Sequence, residues 1–262
     1  MTFRELRRDA LAALCIADPP EKVSAVHALA AAAPEPDPRP VIDPPGDVPG
    51  RPAAPRLVRP GELARRPAGT HAGRAALLHS IAHSEFNAIN LALDAIWRFP
   101  GMPPAFYLDW LRVAEEEATH FTLLCRRLLA YGCSYGDFTA HNGLWEMAEK
   151  TSGDVLDRMA LVPRTLEARG LDASPSIRAK LAGAGDDASA QVIDVILRDE
   201  IGHVAIGNRW FRFLCDQRRI EPHQAYVDLS IRHSAPRLHG PFNLAARRAA
   251  GFDEDELRAL ER

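Results

Sequence analysis

Glutamate interrupts four otherwise apolar helical rows in this chain, at Glu85, Glu117, Glu167 and Glu200, and two of these are followed three residues later by histidine, His120 and His203. The intervals nearly repeat. Glu117 lies 32 residues after Glu85, and Glu200 lies 33 after Glu167. Apolar spacing of three and four residues predicts a first long helix from about Gly73 to Arg98, with Leu78, Ala82, Glu85, Ile89, Ala92 and Ile96 on one face. A second, about Pro104 to Tyr131 with Gly132 as its cap, carries Trp110, Ala114, Glu117, Phe121, Leu124 and Leu128. The third, about Leu144 to Arg169 with Gly170 as cap, carries Leu156, Met159, Pro163 and Glu167, and Pro163 should kink it by freeing the Met159 carbonyl. The fourth, about Ala188 to Arg218, carries Ile193, Ile196, Glu200, His203, Gly207, Phe211 and Leu214.

Carboxylates on a core-facing row carry an energetic demand. An isolated buried charge costs several kcal/mol, and four together would repel one another until some took up protons. Two divalent or trivalent cations remove the difficulty, with carboxylates bridging them and one neutral imidazole on each. The i, i+3 spacing is the geometric condition, because it puts Glu117 with His120, and Glu200 with His203, on one helix face. The residues therefore predict a di-metal site held by Glu85, Glu117, His120, Glu167, Glu200 and His203 inside an all-α four-helix bundle. Oxygen and nitrogen ligands without thiolate favour iron, manganese or a mixed pair over structural zinc.

Neighbouring polar residues are weighed against the same rows. Glu116 stands i, i+4 from His120 but about 100° off the row, which turns it toward solvent or behind the ligands. His79 and His83, also i, i+4, lie off the Glu85 direction and read as histidines packed between helices. Asp199 is either the hydrogen-bond acceptor for a metal-bound imidazole or a surface carboxylate. Tyr107, Tyr131, Tyr135 and Tyr226 read as packing tyrosines, and Trp97, Trp110, Trp145 and Trp210 as core or helix-end residues.

The remainder bounds the setting. A net charge of −3 gives no broad attraction to nucleic acid or to an anionic membrane. Cys15, Cys125, Cys133 and Cys215 have no paired spacing, which suits free thiols in a reducing, cytoplasmic compartment. No stretch approaches the roughly 18 uncharged apolar residues of a membrane span, so a soluble protein is expected. Ten prolines between Pro34 and Pro60 predict an extended connector, preceded by short helices near Thr2 to Ile16 and Pro20 to Ala32 that need the body to bury them. The expected division is an N-terminal helical segment 1–33, a proline-rich linker 34–70, the bundle 71–234 and a C-terminal extension 235–262 with a further helix after Glu221.

The ligand pattern resembles the ferritin-like di-iron carboxylate superfamily. Within it, His79-Ser-Ile-Ala-His-Ser-Glu85, Asp94-Ala-Ile-Trp97-Arg-Phe, Tyr135-Gly-Asp-Phe, Gly143-Leu-Trp-Glu-Met, Met159-Ala-Leu-Val-Pro-Arg and His239-Gly-Pro-Phe-Asn resemble a bacterial family of uncharacterised ferritin-like proteins, over about residues 70 to 253. The resemblance implies a ferritin-like four-helix bundle with extra terminal helices, two iron ions, and dioxygen or peroxide as co-substrate. The reading it favours is an oxidoreductase that hydroxylates or desaturates an unidentified small organic substrate, with a redox partner. Ferroxidase or iron storage is an alternative that the long arm and tail would obstruct, and a metal-stabilised structural bundle is another. A distant cousin is the tRNA-modifying di-iron hydroxylase, for which the arginines and histidines of Arg232 to Arg248 would be the phosphate contacts.

Overall fold

Every regular element in the computed structural model, which describes residues 5–64 and 66–261, is helical, and no β-sheet forms among those residues. The chain divides into two compact units, Met1–Trp145 and Glu146–Arg262. The start of the first helix expected at Thr2 to Arg4 lies outside the described residues.

In the first unit, α1 (Leu6–Leu14) and α2 (Pro19–Ala32) precede the long pair α3 (His71–Arg98) and α4 (Pro104–Ala130). Each start has a chemical cause. Glu5 and Asp18 accept hydrogen bonds from the first free amides of α1 and α2, Thr70 accepts from Gly73 N at the start of α3, and prolines open α2 and α4, where an amide hydrogen would go unused. Gly101 and Gly132, at φ 79° and 68°, take the left-handed conformations that turn the chain after α3 and α4. The expected rows of both helices are buried, and Phe86 meets Phe121 across the α3/α4 interface at 5.2 Å between ring centres. From Glu85 to Trp97, however, α3 is buried on all sides and not along one stripe. Helix α1 also packs on α3, with its Leu6, Ala10 and Leu14 buried, and the polar Asn87, Asn90 and Asp94 of α3 are enclosed as well.

The proline-rich arm is extended, as expected, and it is pinned. The fully buried Arg7 guanidinium donates to the carbonyls of Asp37 (3.0 Å) and Pro40 (2.7 Å) in the arm and of Ile96 (3.4 Å) and Trp97 (2.7 Å) at the end of α3. Trp97 Nε1 donates to Ile42 O, and Gly101 N to Pro38 O. Farther along, buried Lys22 donates to Leu14 O, Gly50 O and Asn90 Oδ1. Side chains thus supply the bonds that an extended, proline-broken backbone cannot make to itself.

The second unit contains α6 (Val155–Leu161), a π-turn (Val162–Glu167), α7 (Ala168–Gly183), α8 (Asp187–Arg218), α9 (Pro222–Arg232), α10 (Leu244–Ala249) and α11 (Glu254–Leu260); the division of the chain falls inside α5 (Gly143–Lys150). The third expected helix is therefore not one helix. It breaks after Lys150, and Asp154 opens α6 by accepting from Leu156 N while gripping Arg218 at 2.6 and 2.7 Å. At Pro163 the kink takes the form of a wide turn, with the Thr165 hydroxyl bonded to Ala160 O at 2.8 Å. Gly170 does not cap. Helix α7 runs on through it and through Pro175, and the Leu171 carbonyl, four residues before that proline, accepts from Asn243 Nδ2. The C-terminal extension is folded: Ala246, Ala250, Phe252 and Leu257 share a core with Ala168, Leu171 and Val204.

Replacing Arg7 with methionine keeps most of the volume and strands four carbonyls, two of them in the arm. The expected cost is about 3 kcal/mol, read as a lower urea midpoint together with faster proteolysis between residues 34 and 60. An unchanged midpoint and cleavage pattern would show that the arm is held by something else.

Candidate metal centre

Glu85 comes from the middle of α3, and Glu117 and His120 from successive turns of α4. All three are buried, and each offers a ligand atom within 4.8 Å of the others. His120 Nδ1 lies 3.2 Å from Glu85 Oε2 and 3.4 Å from Glu117 Oε2, so this nitrogen is the one turned to the carboxylates. Electrostatics follow from the enclosure. Burial, reinforced by the Glu117 charge, pushes the Glu85 carboxyl up to about 8. Burial alone would lower His120, but hydrogen bonding to Glu117 and Glu85 outweighs it and raises the imidazole to about 11. The triad thus retains positive charge in the form of protons, at the spot where a metal cation would supply it.

The second unit repeats the tetrad on α8. Glu200 and His203 are buried, with His203 Nδ1 at 3.7 Å from Glu200 Oε1. Glu200 Oε2 is buried and accepts no hydrogen bond, a condition that a cation would relieve and that little else in a protein core can. Glu167 ends the π-turn, which packs against α8, and is half-buried. Among the described residues, Glu167, Glu200 and His203 do not form a group of three as close as that of Glu85, Glu117 and His120.

The flanking residues sort themselves. Glu116 faces outward and pairs with Arg112 at 2.9 Å, while Asp199 holds the Arg198 guanidinium at 2.8 and 2.9 Å. His79 and His83 belong to an aromatic cluster. His79 Nε2 accepts from Gly136 N and its ring stacks on Tyr135, while His83 bonds through Nδ1 to Tyr135 Oη at 2.9 Å and through Nε2 to the His141 carbonyl at 3.0 Å. Tyr135 also packs edge-on against Phe121 and tilted on Phe86, one position along the helix from Glu85. Tyr107 donates to Phe99 O, Tyr131 accepts from Arg74, and Tyr226 meets the Thr165 hydroxyl at 3.1 Å. Asn87 and Asn90 are the buried polar residues that periodicity passes over, because on sequence alone they read as the solvated back of α3.

The match to known proteins covers most of the chain. Residues 15–258 match the family described as Protein of unknown function (DUF455). The chain belongs to the DUF455 family. A relative from Haemophilus influenzae (strain ATCC 51907 / DSM 11121 / KW20 / Rd), described as an uncharacterized protein, is 48% identical over 225 residues, covering 83% of this chain and 78% of the relative. No solved structure matches. For this DUF455 chain, no helix among the described residues is long and apolar enough to cross a membrane.

Burial pushes His79 and His83 down to about 4 from an ordinary 6.5. Between those values the unfolded chain takes up protons that the folded chain refuses. Their contribution to stability is therefore complete above pH 6.5 and is lost as the pH falls toward 4. The urea midpoint should drop between about pH 7 and pH 5, with a shallower drop in His79→Gln; parallel profiles for the two proteins would count against this assignment.

Proposed function

We propose that this protein is a di-metal carboxylate protein of the iron type that activates dioxygen to oxidise a small organic substrate. The observation that carries the reading is the buried triad of Glu85, Glu117 and His120, together with the same tetrad at Glu200 and His203, where a buried carboxylate oxygen has no hydrogen-bond partner. With Glu167, these residues would hold two metal ions, His120 and His203 each giving one nitrogen and the four carboxylates the remainder, including the bridges. The donor set fits iron or manganese: it is hard, anionic and free of thiolate. On this reading the ferritin-like bundle 71–234 is the working part of the chain, flanked by the N-terminal segment 1–33, the linker 34–70 and the C-terminal extension 235–262.

When bound, the metals would supply the electrons and Lewis acidity that dioxygen chemistry requires. The protein's own groups do the rest. Glu85 and His120 hold protons in the metal-free state and surrender them as ligands, so metal uptake and proton release are linked. Enclosure of Glu117 and His120 keeps bulk water from the centre and strengthens each charge interaction there. Hydroxylation of a C–H bond by dioxygen also consumes two electrons and two protons beyond those of the substrate, so a separate reductant belongs to the proposal.

Purified without added metal and then reconstituted with ferrous iron in air, the wild-type chain should bind close to two metal ions and consume oxygen. Glu117→Ala and Glu200→Ala should each lose at least one metal ion and all oxygen consumption, measured by elemental analysis and an oxygen electrode. Full occupancy in both variants would overturn the site. Continued uptake of iron far beyond two ions, with growth of a ferric mineral, would instead make the protein an iron store.

A further inference from the structure

Glu167 differs from the other proposed ligands in lying at the end of a π-turn and not within a regular α-helix. A π-turn spends one extra residue per turn, so its relaxation to α-helix would rotate everything beyond it by about 100° relative to the preceding helix. The direction of the Glu167 carboxylate therefore depends on whatever holds Val162–Glu167 in its wide form.

Three consecutive residues of the turn are held from outside it. The Pro163 ring presses on α8 where Gly207 has no side chain; a Cβ there would sit 2.5 Å from that of Pro163. Arg164 is buried, donates to Asn208 Oδ1 at 2.7 Å and to Glu256 Oε1, and lies over the rings of Phe211, Tyr226 and Phe252 at 4.9, 5.1 and 4.8 Å. Thr165 meets the Tyr226 hydroxyl. The C-terminal end of this linkage is fixed in turn. Glu256 also accepts from Arg212 and from Asp253 N within the capping box of α11, and Asn208 Nδ2 donates to Ala250 O. A guanidinium enclosed by three rings, an amide and a carboxylate has little freedom to follow a relaxing turn.

We propose that Arg164 is a positioning residue: through Glu256 and Asn208 the C-terminal helices hold the π-turn, and with it the direction in which Glu167 meets the metal site. The inference rests on the reading of Glu167 as a metal ligand. It gives the C-terminal extension a role at the centre, which packing of an ordinary tail would not require.

The test loads the full-length protein with Co(II), whose visible absorption reports ligand number and geometry. Glu256→Ala should bind Co(II) about 10- to 100-fold more weakly at one of two sites, as loss of a supporting group does in other metal proteins, with a changed visible spectrum. It should also show faster amide exchange over residues 162–167 in the metal-free state. Glu256→Gln keeps an acceptor for Arg164 and should restore the wild-type spectrum. Asp172→Ala serves as the control, since it removes the pairing of Arg247 with Asp172 (2.6 and 3.0 Å) that ties α10 to α7 without touching the turn; it should lower the melting temperature and leave the Co(II) spectrum alone. If Glu256→Ala is too unstable to load, Asn208→Ala is read in the same way. Wild-type Co(II) affinity and spectrum in the clamp variants would overturn this inference alone. Failure of the wild-type protein to take up Co(II) would overturn the metal reading and this inference with it.

Discussion

Two carboxylates enclosed beside a single imidazole are the constraint on which the pairing of α3 with α4 turns. Glu85 and Glu117 are buried beside one imidazole, that of His120, at 3.2 and 3.4 Å. Elsewhere several buried acids pair with guanidinium: Asp94 with Arg98, Asp172 with Arg247, Glu256 with Arg164 and Arg212. At the cluster of buried carboxylates and histidine, by contrast, a metal ion could be held.

The buried rows of α3, α4 and α8 were legible in the sequence because helical period is a local property. Leu78 to Ile96, Trp110 to Leu128 and Ile193 to Leu214 lie buried as their spacing requires, and His79 and His83 lie off the Glu85 direction for the same geometric reason. What was not legible depended on partners distant along the chain. Asp154 starts a new helix where the apolar pattern suggested continuity, and its side chain is held by Arg218, 64 residues away. Gly170 and Pro175 do not stop α7, whose back face is covered by the segment from Asn243 to Leu257. Asn87, Asn90 and Asp94 look like a solvated face until α1, α2 and the arm are placed over them.

The same contrast explains the two kinds of polar burial in the first unit. His79, His83, Tyr135 and Asn87 bond largely to one another and to backbone groups, and so stiffen one side of α3. Glu85, on the same helix two positions from His83, belongs to a buried group of carboxylates and imidazole that could hold a metal ion. One helix thus carries a polar network beside a set of side chains fit for a ligand.

The Arg7 anchorage has a consequence in time as well as in space. Its two α3 acceptors, the carbonyls of Ile96 and Trp97, lie 89 and 90 residues farther along the chain. During synthesis at roughly 5–20 residues per second, the N-terminal helices therefore leave the ribosome several seconds before the groups that receive Arg7 exist. Until α3 is made, the apolar residues of α1, Leu6, Ala10 and Leu14, lack the helix they pack on. In a nascent chain that interval ends when Trp97 emerges and its carbonyl can receive Arg7.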